Sequence, residues 1–286
     1  MTARAPIAMF RFDASSKIGG GHAMRCLTLA QAMTEGGWQC RFAVGPDTLQ
    51  TVRRAALREI DCVQLSGNAA TEAEAMAGAL GGRRCDLVVV DHYGRGAEFE
   101  TACRGFADRV LVIDDLADRQ HDADLLLDQN LGRDAAAYAG LVPADCRLLL
   151  GPAYAPLRPE FAIMRDRVLA QRRSRNGIGR ILVSFGMADL NELALRTLHA
   201  LSAIGYDGHV DVVIGGGGRG MARIHAAAAE VGPLVRVLSD VEDMATLMAD
   251  ADLAIGAGGT TSWERCALGL PALIVVVADN QAAVAA

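Results

Sequence analysis

A chain of 286 residues that is 51% hydrophobic can bury the cores of two ordinary domains rather than one. Its formal charge of −6 comes without basic tracts, so the phosphate-neutralising surface that drives nucleic-acid binding has no carrier, and nucleic acid is not an expected partner. Seven single cysteines (26, 40, 62, 85, 103, 146, 266) and no apolar stretch longer than the 13 residues of CALGLPALIVVVA exclude a disulfide framework, a zinc site and a membrane span, and predict a cytoplasmic protein.

The first apolar run, residues 7–12, reads as a strand, and MRCLTLAQAM further on carries Met24, Leu27, Leu29 and Met33 at the spacing of a helix with one buried face. FDASSKIGGGHAMRC joins them. It holds Lys17, the only lysine of the chain, and puts His22 at the start of the helix, directly after three glycines. Strand-like runs near 39–44, 61–65, 86–91, 109–114 and 147–150 continue the series, with helical patterns near 48–58, 71–80 and 97–104 between most of them. That alternation predicts a parallel sheet covered by helices. LRPEFAIMRDRVLAQRRSRNGIG then interrupts the rhythm, and a second series begins at RILVSFG. Its strands fall near 180–185, 210–214, 235–238, 252–256 and 272–277, and its helices near 190–203, 220–230, 242–250 and 262–268. The expected fold class is α/β, with two tandem Rossmann-like, doubly wound domains over residues 1–170 and 171–286.

In such sheets ligands bind beyond the carboxyl ends of the strands, where helix N-termini attract anions. SSKIGGGH allows close backbone approach, but Met24 stands where G-x-G-x-x-G needs its third glycine, and RFAVG ends without a ribose-binding acid. A dinucleotide cofactor is therefore not expected, and no G-x-x-x-x-G-K-[ST] supports P-loop chemistry. At a helix start the dipole disfavours imidazolium, and Lys17 and Arg25 act in the same direction, so His22 reads either as a neutral general base or as a residue that caps the turn. In IGAGGTTSWERCALGLP (255–271), glycines and hydroxyl residues lead into a helix, the arrangement of a phosphate site. Glu264 there either closes a capping box or accepts from a ribose diol. VSFGMADLN (183–191) again puts a glycine, Gly186, at a strand end.

Asp91-His92-Tyr93 ends a buried run but offers too few ligands for a metal. The six aspartates within 111–130 read as turn residues and caps rather than a Mg²⁺ site. His121, His199, His209 and His225 stand alone, and no G-x-S-x-G supports a hydrolase triad. No metal and no cofactor are predicted.

Together, FRFDASSKIGGGHAMRCLTLA, VVDHYG, VIDDLADRQHDADLLLDQN, LLGPAYAPLRPEF, ILVSFG and AIGAGGTTSWERCALGLPALIVVVADNQ resemble the UDP-2,4-diacetamido-2,4,6-trideoxy-β-L-altropyranose hydrolases of pseudaminic acid biosynthesis. These are similar to B-type glycosyltransferases but pass the sugar to water. The resemblance implies a metal-independent hydrolase that cleaves the anomeric C–O bond of a UDP-sugar, with water as the second substrate. His22 would activate the water, Tyr93 would lie beside the sugar and Asp13 would brace the glycine loop. Gly259, Thr260 and Thr261 would hold the diphosphate, Glu264 the ribose, and Asn280 and Gln281 the sugar. Gly20, Gly21, Lys17, Arg25 and Gly186 complete the implied substrate-binding set. The chain departs from the resembling proteins at Met187 and Leu190, where Gly-Gly-x-Asp-Pro is usual, and its end at ADNQAAVAA predicts a shortened C-terminal domain. A glycosyltransferase using a UDP-sugar donor and an inactive nucleotide-binding remnant are the alternative expectations. No motif specifies an oligomeric state.

Overall fold

The computed structural model of the protein describes residues 4–15, 18–52, 61–66, 68–186, 191–215, 221–239, 241–278 and 281. The chain falls into two compact units, Met1–Ser15 with Gly20–Pro156, and Ser16–Gly19 with Leu157–Ala286.

The first unit runs β1 (Ile7–Phe12), α1 (Gly21–Glu35), β2 (Gln39–Val44), α2 (Thr48–Thr51), β3 (Asp61–Gln64), α3 (Ala69–Ala79), β4 (Leu87–Asp91), α4 (Ala97–Cys103), β5 (Val110–Ile113), β6 (Leu125–Asp128) and β7 (Arg147–Leu150). Among the described residues its strands form one seven-stranded sheet, ordered β3-β2-β1-β4-β5-β6-β7, with every pair parallel. A parallel strand is covered on both faces, which is why β1 is buried at all six positions and is apolar at all of them but Arg11. Phe42 meets Phe10 and Phe12 edge-on at 5.5 and 5.2 Å, and burial of each such ring contributes about 1.5–3 kcal/mol.

The second unit runs α5 (Pro159–Arg172), β8 (Arg180–Ser184), α6 (Asn191–Ala203), β9 (His209–Ile214), α7 (Met221–Val231), β10 (Val235–Ser239), α8 (Met244–Asp250), β11 (Leu253–Ala257), α9 (Thr261–Ala267) and β12 (Ala272–Val275). Its parallel sheet is ordered β10-β9-β8-β11-β12. In each sheet the strand order reverses at one place, β1/β4 in the first and β8/β11 in the second. These are the points where open α/β sheets leave a crevice.

Three elements differ from the sequence expectation. LLLD at 125–128 is strand β6, hidden by the aspartates around it. The expected helix 48–58 is present as Thr48–Thr51, and residues 53–60 lie outside the described set. The arginine-rich stretch expected to close a first domain near residue 170 is helix α5 of the second unit, which begins at Leu157. Phe161 and Val168 bury its inner face against Leu182, Ala245, Met248 and Leu268. Its arginines serve the ends of other helices. Arg172 donates to the carbonyls of Leu268, Ala251 and Met248 at 2.7, 2.7 and 2.6 Å, and Arg165 to that of Ala267 at 2.5 Å. Those are carbonyls that the last turns of α8 and α9 leave without a partner.

Candidate active site

In the first unit the reversal point is built from the ends of β1 and β4, where Phe12 pairs with Asp91. Gly19 follows β1 with φ at 76°, a conformation that disfavours a side chain. Gly20 is the N-cap of α1 and uses no side chain to do it. The helix therefore starts at Gly21, and His22 enters the interior from its first turn, where it is 5% exposed.

The buried partner of His22 is Asp91, the last residue of β4, with Nδ1 and Oδ1 2.5 Å apart. Arg25, one turn along α1, forks onto the same carboxylate from Nε at 2.6 Å and Nη2 at 2.5 Å. Arg25 also reaches Asp115 at 3.0 Å. Burial alone would raise the Asp91 pKa, but the charge of Arg25 and the hydrogen bonds from Arg25 and His22 hold it well below the usual carboxylate range. An ionised carboxylate only accepts, so an imidazole carrying a single proton holds it at Nδ1 and leaves the Nε2 lone pair open. Among the described residues the polar contacts of the His22 ring fall on Nδ1, from Asp91 at 2.5 Å and Arg25 Nη2 at 3.2 Å. Tyr93 packs its ring edge-on against His22, with centroids 4.5 Å apart, and its hydroxyl lies 3.3 Å from Asp115. Burial and the Asp115 charge raise the pKa of that phenol, which stays protonated.

The first unit thus brings together His22, Tyr93 and Arg25, which the sequence singled out, and adds Asp91 and Asp115, which it did not assign to this site. Asp91 was visible as the end of an apolar run and beside His92 as a pair too small to hold a metal. Asp13 follows the end of β1. Its carboxylate accepts from Arg11 at 2.6 Å, from the Gly45 amide at 2.7 Å and faces His92 at 3.0 Å. Through the Gly45 amide it braces the turn after β2. A side chain on Gly45 would collide with it at 2.9 Å. Lys17 lies outside the described residues.

In the second unit, β11 leads through Gly258 and Gly259 into α9. Nothing lies within 4 Å of where a Gly259 side chain would start, and Gly186 after β8 has φ at 86°. The Gln281 side-chain oxygen accepts from the Gly258 and Val277 amides at 3.2 and 3.1 Å, so Gln281 ties the loop to the end of the sheet. Thr260 is the N-cap of α9 without a side-chain bond, and Thr261 opens the helix. Glu264 does not close a capping box. It is 9% exposed and pairs with Arg158 at 3.1 Å. Burial raises its pKa, against the Arg158 charge. Asn280 and residues 187–190, which include both departures at Met187 and Leu190, lie outside the described residues.

The aspartates of 111–130 are arginine partners and turn anchors. Asp114 and Asp118 hold Arg119, Asp122 and Asp124 hold Arg104, and Asp128 holds Arg133. Among the described residues no group of three or more His, Cys, Asp or Glu could hold a metal ion, and no helix is long and apolar enough to cross a membrane.

Residues 181–284 match the glycosyltransferase family 28 C-terminal domain. The UDP-2,4-diacetamido-2,4,6-trideoxy-beta-L-altropyranose hydrolase of Campylobacter jejuni is 30% identical over 156 residues, 54% of this chain and 52% of that one. The spore coat polysaccharide biosynthesis protein SpsG of Bacillus subtilis is 30% identical over 146 residues, 50% of this chain and 42% of that one. The chain spans about half the length of these curated relatives. Among solved structures, MurG of Acinetobacter baumannii shares the fold, with a TM-score of 0.63 and 18% identity over 98% of this chain and 82% of that one. The chain is therefore similar, over about half its length, to the UDP-2,4-diacetamido-2,4,6-trideoxy-beta-L-altropyranose hydrolase of Campylobacter jejuni; its residues 181–284 match the glycosyltransferase family 28 C-terminal domain, and its two Rossmann-like domains share the fold of MurG.

Proposed function

We propose that the protein hydrolyses a UDP-linked diacetamido-trideoxy sugar at the anomeric carbon, releasing UDP and free sugar for pseudaminic acid synthesis, without a metal ion. The observation that carries this is the His22–Asp91 pair, a buried imidazole with its Nδ1 proton fixed by a carboxylate and its Nε2 open. That is the arrangement of a general base. Nε2 takes a proton from water as the water oxygen bonds to the anomeric carbon. The bond from that carbon to the diphosphate oxygen breaks, and its electron pair leaves with UDP. Tyr93, against the ring of His22, bounds the sugar, and the Gly258–Thr261 loop and Glu264 of the second unit hold diphosphate and ribose. The similarity to the Campylobacter hydrolase favours water over a sugar acceptor.

Two measurements test this. Hydrolysis in ¹⁸O-water is expected to put the label on the anomeric hydroxyl of the sugar and none on the nucleotide. Label in phosphate, or UMP as the first product, refutes attack at carbon. The His22→Asn variant is expected to lose turnover by about 10²–10⁴-fold, the usual worth of a general base, with UDP affinity close to wild type. Sugar transfer to an added acceptor at a rate above hydrolysis would assign the chain to the transferases instead.

A further inference from the structure

Three arginines are buried among the described residues: Arg11, Arg25 and Arg265. Arg11 is bound by Glu72 and Asp13, and Arg25 by Asp91 and Asp115. Arg265 is 4% exposed and has no carboxylate partner. Its neighbour Glu264 is paired with Arg158 instead. One amino group, Nη2, donates to the carbonyl of Ala257 and to the hydroxyl of Ser262, both at 2.8 Å, and Nε has no partner. A buried guanidinium that forms no ion pair among the described residues, with the nearby Glu264 carboxylate bonded to Arg158, is costly, so a fold that keeps one has a reason to keep it.

Its location supplies the reason. Gly256 of β11 pairs with Ser184 of β8, the two strands at which the second sheet reverses its order. A side chain on Gly256 would strike the Ser184 carbonyl at 2.1 Å and lie 3.0 Å from Arg265 Nη1. Arg265 therefore fills the floor of the crevice between the two strand ends. It ties the end of β11, through Ala257, to the first turn of α9, through Ser262. The Gly258–Thr261 loop runs between these two anchors, and Gly259 in it has open space on its free side.

We propose that Arg265 is the fixed counter-charge of the second unit's phosphate site, and that the anion completing the pair is the pyrophosphate of a nucleoside diphosphate lying on the Gly258–Thr261 loop. Arg265 is a positioning residue. It reaches the phosphates through the loop it braces and through its field, which a buried setting screens less than water does. The proposal rests on the assignment of a UDP-sugar to this unit. Burial also lowers the pKa of Arg265, and a bound dianion would oppose that shift.

The test compares Kd for UDP and for uridine by calorimetry on the full chain. Wild type is expected to prefer UDP. Arg265→Gln, which removes the charge and leaves a shorter neutral amide in its place, is expected to weaken UDP by roughly 10- to 100-fold and leave uridine within about twofold. Arg265→Lys, which keeps the charge, is expected to retain the preference for UDP, and it decides the matter if the glutamine variant does not fold. An unchanged UDP-to-uridine ratio in Arg265→Gln, an equal loss for both ligands, or a lost preference in Arg265→Lys overturns the role of Arg265 alone. A wild-type protein that binds UDP no better than uridine removes the phosphate site itself, and both readings with it.

Discussion

Replacing Asp91 by asparagine leaves shape and volume almost unchanged and removes one charge. In the native protein that carboxylate is 0% exposed and accepts from His22 at 2.5 Å and from Arg25 at 2.6 and 2.5 Å. Asparagine can accept with one oxygen but presents an amide NH₂ with the other position. An NH₂ facing His22 favours a lone pair at Nδ1, which moves the ring proton to Nε2 and takes away the base. A reversed tautomer costs on the order of 10⁴-fold in a related triad, so a loss of about 10³–10⁴ in turnover is expected here. Breaking a buried ion pair from one side costs about 3–5 kcal/mol. Arg25 keeps Asp115 at 3.0 Å, which puts the expected loss near 3 kcal/mol, the lower end of that range. At about 2–4 °C per kcal/mol for a domain of this size, Tm should fall by roughly 6–12 °C. Turnover is read as free sugar released, UDP affinity by calorimetry and Tm by circular dichroism, all below the variant's own melting range. Turnover within threefold of wild type in folded Asp91→Asn refutes the tautomer argument. A loss of UDP affinity matching the loss of rate would move Asp91 from the chemistry to nucleotide binding.

Treatment with EDTA is expected to leave turnover unchanged; inactivation that Mg²⁺ or Mn²⁺ restores would reopen the aspartate-rich segment. Asp13 and Asp91 both have folded pKa values held below the carboxylate range, against burial, by His92 and Arg11 in one case and by Arg25 and His22 in the other. The unfolded chain then binds more protons in acid, so their stabilisation is full above about pH 4 and is lost as pH falls below it; urea midpoints at pH 7, 5 and 3 should show little change over the first step and a drop over the second, shallower in Asp13→Asn. Arg172→Met removes donors from three carbonyls and should destabilise the second unit by roughly 2–4 kcal/mol, read from denaturant unfolding; a change below 0.5 kcal/mol would mean that water satisfies those carbonyls equally well.

The parallel strands were legible because burial on both faces favours apolar residues, so β1 is interrupted only by Arg11 and β4 only by its terminal Asp91, and the opening of α1 at His22 was legible from the glycines before it. β6 was not, since three leucines flanked by aspartates carry too short a signal against the turn chemistry around them. Helix α5 was obscured because a run of arginines reads as a solvated linker, whereas here the guanidinium groups are spent on backbone carbonyls of other helices. The site shows the same division. His22 could be picked out locally, but its partner Asp91 is 69 residues away and meets it only because β1 and β4 are neighbours in the sheet. Glu264 satisfied a local capping pattern, and an arginine 106 residues distant claimed it instead. Periodicity and caps are written in neighbouring residues. Ion pairs across a sheet reversal are written in topology, which no short window contains.

The reach of Arg165 and Arg172 into the ends of α8 and α9 also says where this chain can be cut and rejoined. A junction at residue 170, where the glycine-flanked series restarts, would divide α5 and hand Arg165 to one parent and Arg172 to the other. In a chimera made there, the recipient's own arginines would have to find the carbonyls of Met248, Ala251, Ala267 and Leu268 by chance. A junction at Leu157 carries the helix and its donors along with the helix ends they serve. The inheritable module, the piece that recombination can move between relatives without stranding backbone polar groups, therefore begins before Pro159. Any exchange of the second unit within this architecture travels with the arginines that look like a linker.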